Sequence, residues 1–345
     1  MVSDAGADAR VDAAIVGAGP CGLATAITLR AAALDAVVFD GSCVVSSIAQ
    51  YPTYVKFFST AEKLAIGGLP FIIGGDKPTR RDALAYYRAT VTYFGIPVRQ
   101  YERVASIKRE DGEFIVRSLP RGGGERVTRA GVVVIATGYF GSPNRIGVPG
   151  EELPHVTHVY HEGHEAFDQN VVVVGGGNSA AEAALDLWRS GARVTLVHFG
   201  PSFDMKIKPW ILPDVTNRMK EGSIAARWDA RVTEITSRHV MLATPHGAEC
   251  LEADRVYLMT GFAPNLELLR QMGVSIDART GVPAHDPATL ETDIPGVFIA
   301  GVVVAGFDAN KVFIENGRYH GERILARLRG APAPAEPKLS AELDV

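Results

Sequence analysis

Apolar runs alternate along the chain with segments rich in glycine or alanine, in an order that is typical of βαβ units. Residues 11–16 are mostly apolar and predict a strand, and the alanine-rich residues 23–33 predict a helix. Between them the chain reads Gly-Ala-Gly-Pro-Cys-Gly. Residues 36–39 predict a second strand that ends at Asp40. Continuous apolar strands joined by helices are typical of a parallel sheet that is buried on both faces.

The same order recurs in the second half of the chain. Residues 171–174 predict a strand, 175–180 read Gly-Gly-Gly-Asn-Ser-Ala, 181–190 predict a helix and 193–197 another strand. Two such units predict an α/β fold with two Rossmann-like, three-layer dinucleotide-binding domains. We therefore expect two bound nucleotides, one in each domain.

Other elements follow from shorter patterns. Helices are expected over 82–94, with Thr79 as the N-cap, and over most of 308–328. Strands are expected within 98–117, with a turn at Asp111-Gly112, and buried strands over 131–138, 256–261 and 296–301. Residues 142–152 are expected to form a linker, and the chain from residue 331 a flexible tail.

The first glycine loop has the spacing of a pyrophosphate-binding turn. Gly17 permits the tight turn, Gly19 lets the backbone approach the pyrophosphate, and Gly22 lets helix and strand pack closely. Pro20 and Cys21 complete the loop, and Cys21 stands in the first helical turn, where a thiolate is favoured. Asp40 follows Gly17 by 23 residues, which is near the spacing at which a carboxylate binds an adenosine ribose.

The second loop has a different residue at the ribose position. Its expected nucleotide contacts are Gly175, Gly177, Asn178, Ser179 and Ala180. His198 stands where the acid would be, and without a carboxylate a 2′-phosphate is not repelled, so NADP is favoured over NAD. The nearest candidate cations for that phosphate are His198, Lys206 and Lys208, and each is alternatively a solvated side chain.

Several further residues are expected to contact the first nucleotide. Residues 50–60 are aromatic and β-branched, and in a two-nucleotide enzyme such a loop covers the cofactor ring; ordinary packing of aromatics is the alternative. The expected contacts are Gln50, Thr53 and Ser59 from this loop, Val104 beside the adenine, Thr137 and Gly138 at the end of a buried strand, and Gly301 at the end of the last strand.

Composition and charge exclude several classes of function. The 345 residues are 47% hydrophobic, carry a net charge of −4 and contain no basic block, which argues against nucleic-acid binding. No signal peptide and no apolar run of transmembrane length is evident, so we expect a soluble cytoplasmic protein. Three widely spaced cysteines argue against a disulfide framework and a zinc site. Four histidines, at 155, 158, 161 and 164, would bind a metal only if three of them met, and we predict no metal.

Several long strings of sequence resemble one family of enzymes. The two loops and the final Gly-Val-Phe-Ile-Ala-Gly strand resemble two-domain flavoproteins of the thioredoxin reductase type. The strings at 17–22, 51–60, 207–213, 259–261 and 313–318 resemble a subgroup of these, the bacillithiol disulfide reductase family. The resemblance implies FAD in the first domain, NADPH in the second, a low-molecular-weight disulfide as the oxidant and a homodimer.

That resemblance also implies how the domains divide. The FAD domain would comprise residues 1–150 and 286–330, the NAD(P)H domain residues 151–285, and the tail residues 331–345.

The chain departs from thioredoxin reductases at two places, both shared by the subgroup, and from the subgroup at a third. No CxxC precedes the second loop, so a flavin-linked dithiol is disfavoured. Val302, rather than an acid, follows Gly301, and Phe199, rather than the arginine usual in the subgroup, follows His198. The contact to the flavin side chain must therefore come from backbone or elsewhere, and the preference for NADPH is less secure.

Cys21 is the candidate catalytic residue. Its thiolate would attack the disulfide and form a mixed disulfide that reduced flavin resolves. The alternative is a small apolar residue at a tight turn. Cys43, near the adenosine end, is expected to be structural, and Cys250 is given no role. Competing functions are an NAD(P)H-dependent flavin or ferredoxin reductase, a flavin-containing monooxygenase and a flavin-binding redox sensor.

Overall fold

The computed structural model describes residues 9–204 and 207–334. Its strands, in chain order, are β1 (Ala9–Val16), β2 (Ala36–Phe39), β3 (Val98–Arg99), β4 (Glu102–Glu110), β5 (Glu113–Pro120), β6 (Arg126–Ile135), β7 (Ser142–Pro143), β8 (Val156–Thr157), β9 (Asn170–Val174), β10 (Arg193–Val197), β11 (Ile224–Arg227), β12 (Arg231–Ile235), β13 (His239–Thr244), β14 (Gly247–Glu252), β15 (Arg255–Leu258), β16 (Phe262–Ala263) and β17 (Val297–Ile299).

The helices are α1 (Pro20–Ala31), α2 (Ser46–Ala49), α3 (Ala61–Leu64), α4 (Arg80–Phe94), α5 (Asn178–Arg189), α6 (Leu212–Lys220), α7 (Glu267–Gln271), α8 (Ile314–Gly317) and α9 (His320–Leu328). Two short 3₁₀ helices span His164–Ala166 and Gly301–Ala305. In the described ranges no helix has both the length and the apolar character to cross a membrane.

The chain divides into two compact units. Unit 1 comprises residues up to Ala49, Lys56–Ser142 and residues from Ala263 onward, and unit 2 comprises Gln50–Val55 and Pro143–Phe262. The division therefore falls at 142–143 and 262–263, where the sequence predicts boundaries near 150 and 285. Residues 263–285 belong to unit 1 because Leu266, Leu269 and Val274 of this segment are buried in its core.

Unit 1 contains a mixed sheet with the strand order β3-β2-β1-β6-β5-β4, and β17 pairs with β6. The pairs that β1 makes with β2 and β6 are parallel, as is the pair between β17 and β6, whereas β4, β5 and β6 are antiparallel. Residues Ala13–Ile15 of β1 are fully buried, as expected of a strand covered on both faces. The parallel part of this sheet brings the carboxyl ends of β1, β2 and β6 to one edge.

Unit 2 repeats the parallel arrangement with the strand order β11-β10-β9-β15-β8, and a separate antiparallel sheet holds β12, β13 and β14. All four pairs of the larger sheet are parallel. Helix α5 packs Ala180, Ala184 and Leu187 into a core with Val171 and Leu196. The predicted α/β fold with two Rossmann-like domains is confirmed by these two sheets.

Two predicted helices differ in outcome. The helix at 82–94 is confirmed as α4, and Thr79 is its N-cap: Thr79 Oγ1 accepts the amide of Asp82 at 3.2 Å, and Asp82 Oδ2 accepts the amide of Thr79 at 2.9 Å. Residues 308–328, predicted to be mostly helix, form two helices, α8 and α9, instead of one. Asn316 Oδ1 accepts the amide of Phe313 at 2.8 Å, so helix begins only at Ile314, and it is interrupted before α9. Of the predicted tail, residues 335–345 lie outside the described residues.

Candidate active site

The glycine loop after β1 can be formed only by glycine at two of its positions. Gly17 has φ +115°, and a Cβ placed on it would lie 2.2 Å from the carbonyl oxygen of Ala136, which directly follows the neighbouring strand β6. A Cβ on Gly22 would lie 2.0 Å from the carbonyl oxygen of Gly17. Gly17 therefore makes the turn and Gly22 lets helix α1 pack against it, which are the two packing roles that the sequence predicts.

Gly19 faces open space instead. A Cβ placed on it meets no atom within 4 Å, and Pro20 follows it as the first residue of α1. Pro20 needs no hydrogen-bond acceptor at this position, and the next amides of the first turn are available to an anion. The space beside Gly19 is therefore where the structure can admit a pyrophosphate against the N-terminus of α1.

Asp40 stands at the end of β2 and fixes the same loop. Its Oδ2 accepts the amide of Ala18 at 2.9 Å, and its Oδ1 accepts the amide of Ser42 at 2.8 Å. Burial raises the pKa of this carboxyl above its ordinary value, against the opposing effect of these hydrogen bonds. The Ser46 side chain also hydrogen-bonds this carboxylate, and a carboxylate accepts about four hydrogen bonds, so Asp40 remains able to bind a ribose hydroxyl.

A buried hydroxyl beside the loop lacks a partner. Thr137 follows β6, next to the Ala136 carbonyl that contacts Gly17, and its Oγ1 has no hydrogen-bond partner among the described residues. Gly138 then turns the chain with φ +75°. An orphaned buried hydroxyl is costly unless something else binds it, so this position fits the predicted contact with a cofactor.

The other predicted FAD contacts are divided between the two units. Gln50 and Thr53 belong to unit 2, where the Thr53 amide donates to the His161 carbonyl at 2.9 Å. In unit 1, Ser59 donates a hydrogen bond to Glu315, and Val104 is a buried residue of β4. The roles of Gln50, Thr53, Ser59 and Val104 at the cofactor stay predictions.

Cys21 lies in the first turn of α1 with its sulfur packed against two glycines. A Cβ placed on Gly317 would lie 2.6 Å from Cys21 Sγ, and one placed on Gly301 would lie 3.2 Å from it. The residue is partly exposed, but its thiol is enclosed, and burial raises the pKa of Cys21 to about 12. Burial of the thiol and the N-terminus of α1 act on this pKa in opposite directions, and the role of Cys21 as a thiolate stays a prediction.

Gly317→Ala is expected to destabilise unit 1 by about 1–3 kcal/mol, because overpacking a tight contact costs about that much. Gly317 lies within α8 at an ordinary helical φ, so the cost would come from contact with the Cys21 sulfur and not from the backbone. Thermal unfolding of Gly317→Ala and of the double variant Cys21→Ala/Gly317→Ala measures this. The double variant should recover most of the loss; equal destabilisation in both would contradict the contact.

The amide of Gly301 is already used inside the fold. It donates to Nδ1 of the buried His320 at 3.0 Å, and Gly301 begins the 3₁₀ helix with φ +75°. The ring proton of a neutral His320 therefore resides on Nε2. A backbone contact from Gly301 to a flavin, as the sequence predicts, would have to use an atom other than this amide hydrogen.

The second glycine loop has the same construction as the first. Gly175 has φ +145°, and its Cβ would lie 2.3 Å from the Met259 carbonyl oxygen and 3.2 Å from Ala180 Cβ. Asn178 Oδ1 accepts the amide of Lys208 at 2.9 Å, while Ser179 is exposed in the first turn of α5. The turn, the close packing of Ala180 and the N-terminus of α5 thus agree with a pyrophosphate site.

Of the predicted cations of this site, the structure describes His198 and Lys208. His198 is 4% exposed, and a Cβ on Gly176 would lie 2.3 Å from its ring, so the imidazole is enclosed by the loop. Lys208 Nζ lies 2.6 Å from Glu182 Oε1 in an ion pair. Lys206 lies outside the described residues. His198 is therefore not a solvated side chain, which was the alternative: it lies beneath the loop, and its contact with a 2′-phosphate stays a prediction.

The four regularly spaced histidines do not gather. Across residues 9–204 and 207–334, no three or more His, Cys, Asp or Glu side chains are grouped so as to hold a metal ion. His158 lies 3.2 Å from Glu151, and burial lowers the pKa of His158 below its ordinary value.

A cavity of about 620 Å³ opens on unit 1 beside α1. Its lining includes Ala24 and Thr28 of α1, residues 65–73, and Arg318 with Tyr319. Cys21, Ala24 and Thr28 are spaced by three and four residues, so they share one face of the helix. The volume lies in the range that holds small ligands, about 300–1,000 Å³.

Sequence reasoning missed Gly317 and His320 as neighbours of Cys21 and Gly301. Gly317 stands in a string that carries the family resemblance, which was the available signal, but a single chain gives no indication of what it contacts.

Both loops fit a dinucleotide, and the family of the chain agrees with them. Residues 14–301 match the model of a family described as pyridine nucleotide-disulphide oxidoreductase. The chain is 43% identical to the bacilliredoxin reductase Bdr of Bacillus subtilis over 92% of its own length and 97% of that protein.

Solved structures give the same result. The bacillithiol disulfide reductase of Bacillus cereus superposes with a TM-score of 0.90 at 42% identity, and that of Staphylococcus aureus with 0.87 at 38%. Each alignment covers 93% of this chain and 99% of the other. The chain belongs to the pyridine nucleotide-disulphide oxidoreductase family and is a flavin-dependent oxidoreductase that uses FAD and NAD(P)H.

Proposed function

We propose that this enzyme reduces a low-molecular-weight disulfide, bacillithiol disulfide, with NADPH as the electron donor. The balanced reaction takes NADPH, a proton and one disulfide to NADP⁺ and two thiols. The observation that carries the proposal is the position of Cys21 within the first glycine loop, beside the N-terminus of α1. The similarity to reductases named for this disulfide supports the choice of substrate.

Cys21 would perform the sulfur chemistry alone, because the sequence has no CxxC pair. Its thiolate attacks one sulfur of the substrate, so that one thiol leaves and a mixed disulfide joins Cys21 to the other half. Two electrons and a proton then release the second thiol and restore the Cys21 thiolate. Bound FAD supplies the two-electron chemistry that links NADPH to sulfur.

The residues around the cofactors would bind and orient them. Gly19 and the first turn of α1 would hold the FAD pyrophosphate, and Asp40 would accept from the ribose. Gly175, Gly177, Asn178, Ser179 and Ala180 would do the same for the pyridine nucleotide. The cavity beside Ala24 and Thr28 lies on the Cys21 face of α1 and has room for part of a thiol-containing substrate.

Bacillithiol disulfide is expected to reoxidise the reduced enzyme, and NADPH is expected to reduce it faster than NADH. Anaerobic stopped-flow absorbance at the flavin band measures both steps. Glutathione disulfide serves as the control, because it contains the same S–S bond between two molecules of a different thiol. Failure of bacillithiol disulfide to reoxidise the flavin would contradict the proposed substrate, and faster reduction by NADH would contradict the proposed donor.

A reductase that passes electrons to free flavin or ferredoxin is the second candidate. The observation that favours it is the enclosed thiol of Cys21, whose pKa burial raises to about 12, since a protonated thiol is a poor nucleophile. This function would not need Cys21. Ferredoxin reduction that is faster than disulfide reduction and unchanged in Cys21→Ala would support it.

We further propose that the enzyme is a cytoplasmic homodimer, by analogy with enzymes of its type. Its three cysteines are unpaired, which is usual in a reducing compartment. A solution mass near twice the 36.8 kDa of one chain, measured by light scattering, tests the dimer.

A further inference from the structure

The proposed preference for NADPH requires an exposed cation near the 2′-phosphate. Of the described candidates, His198 is buried under the second glycine loop and Lys208 is paired with Glu182. A 2′-phosphate at a Rossmann site is bound near the residues that follow the second strand of the βαβ unit, which here is β10. Those residues begin with His198 and Phe199.

Backbone hydrogen bonds bring another segment against this position. The amide of Ala230 donates to the His198 carbonyl at 3.0 Å, and the amide of Asp229 donates to the Gly200 carbonyl at 2.9 Å. The segment that precedes β12 therefore runs beside the end of β10. Arg231, the first residue of β12, follows directly.

Arg231 lies over the exposed ring of Phe199. Its guanidinium carbon is 5.0 Å from the ring centroid, and the Phe199 residue is 61% exposed. Arg231 is itself exposed, and within the part of the chain that the structure describes no carboxylate lies close enough to form an ion pair with it. A stacked guanidinium keeps its N–H edge available, and that planar edge matches a phosphate bidentately.

The position is also close to the nucleotide loop. Positions built for a Cβ on Gly176 and on Gly200 lie 2.3 Å and 2.9 Å from ring atoms of His198, so the loop, His198 and the chain after β10 are packed together. The ring centroids of Phe199 and His198 are 4.5 Å apart, so Phe199 and the guanidinium over it lie next to this cluster.

We propose that Arg231, stacked on Phe199, binds the adenosine 2′-phosphate of NADPH. Phe199 occupies the place at which the subgroup usually has arginine, and Arg231 brings a guanidinium to the same corner from a different strand. This inference rests on the proposed use of NADPH.

Asp204 provides the opposing possibility at this corner. Its side chain is 58% exposed, and its Oδ2 lies 3.5 Å from the position of a Cβ on Gly177. A carboxylate here can accept hydrogen bonds from ribose hydroxyls, which would favour NADH. Arg231 would therefore favour a 2′-phosphate and Asp204 would disfavour it, and measured ligand affinities distinguish the two possibilities.

Calorimetry on the FAD-loaded enzyme, with adenosine 2′,5′-bisphosphate and 5′-AMP as probes, tests the role of Arg231. The wild type should bind the bisphosphate more tightly. Arg231→Ala should weaken the binding of the bisphosphate by about ten- to a hundredfold, which is the expected range for one charged hydrogen-bonding group. It should leave the affinity for 5′-AMP within about twofold of the wild-type value. The affinity of Arg231→Lys for the bisphosphate should lie between those of the wild type and Arg231→Ala.

Arg238→Ala is the matched control, because Arg238 is an exposed arginine just beyond the other end of β12 and its loss removes the same charge. It should change neither affinity. A wild type without preference for the bisphosphate would overturn the NADPH proposal itself. A preference that survives Arg231→Ala, or equal weakening of both probes, would overturn only the role of Arg231. Tighter binding of the bisphosphate by Asp204→Asn than by wild type, with no effect of Arg231→Ala, would place the discrimination at Asp204.

Discussion

Cys21→Ala is expected to reduce the rate of disulfide reduction on the order of a thousandfold or more, since removal of a reacting nucleophile commonly costs at least that much. The variant should still bind FAD, because the loop is formed by Gly17, Gly19 and Gly22 and the side chain of residue 21 points toward Gly301 and Gly317. Reduction of the bound flavin by NADPH should therefore stay close to the wild-type rate. Turnover with bacillithiol disulfide and anaerobic flavin reduction measure the two separately.

Cys43→Ala is the control for this prediction. Cys43 follows β2 just after Asp40, is partly exposed, and has no proposed part in the sulfur chemistry. Its loss should leave disulfide turnover unchanged. Normal turnover of Cys21→Ala with bacillithiol disulfide would eliminate the single-cysteine mechanism. The reduced flavin would then have to pass its electrons to the acceptor without Cys21.

Gly17→Ala is expected to cost about 3 kcal/mol or more in the free energy of unfolding and to abolish FAD binding. The methyl group would lie 2.2 Å from the Ala136 carbonyl oxygen, and φ +115° is strained for any residue with a Cβ. Thermal unfolding and the flavin absorbance of the purified protein measure both effects.

Gly19→Ala is the matched substitution in the same loop. Gly19 has φ −72° and its Cβ would touch nothing within 4 Å, so stability should change by less than about 1 kcal/mol. FAD content should nevertheless fall, because the added methyl group would occupy the space proposed for the pyrophosphate. Full FAD content in Gly19→Ala would show that the pyrophosphate does not approach this glycine.

The sequence pattern predicted the two glycine loops well, because the geometry of each loop depends on residues that are neighbours in the chain. Gly17, Gly22 and Gly175 have the conformations and contacts that their spacing requires, and Asp40 reaches the loop it was expected to support. These positions need only a strand, a turn and a helix in sequence, and residue type determines the geometry there.

The environment of Cys21 was not predictable in the same way. Its thiol is enclosed by Gly301 and Gly317, which lie almost three hundred residues further along the chain, and no periodicity reports such a contact. His198 illustrates the same limit: its place after β10 is local information, but its burial depends on how Gly176 and Gly200 close over the ring.

The pairing of β17 with β6 has a consequence for how the polypeptide reaches its native state. Val297 aligns with Val133, so the parallel sheet of unit 1 lacks a strand until most of the chain has left the ribosome. Unit 2, apart from six residues, is one uninterrupted stretch, so its larger sheet can form earlier. Contacts of long sequence separation close slowly. Biosynthesis is therefore expected to pass through a state in which unit 2 is folded while residues 133–135 of β6 in unit 1 still lack their partner strand.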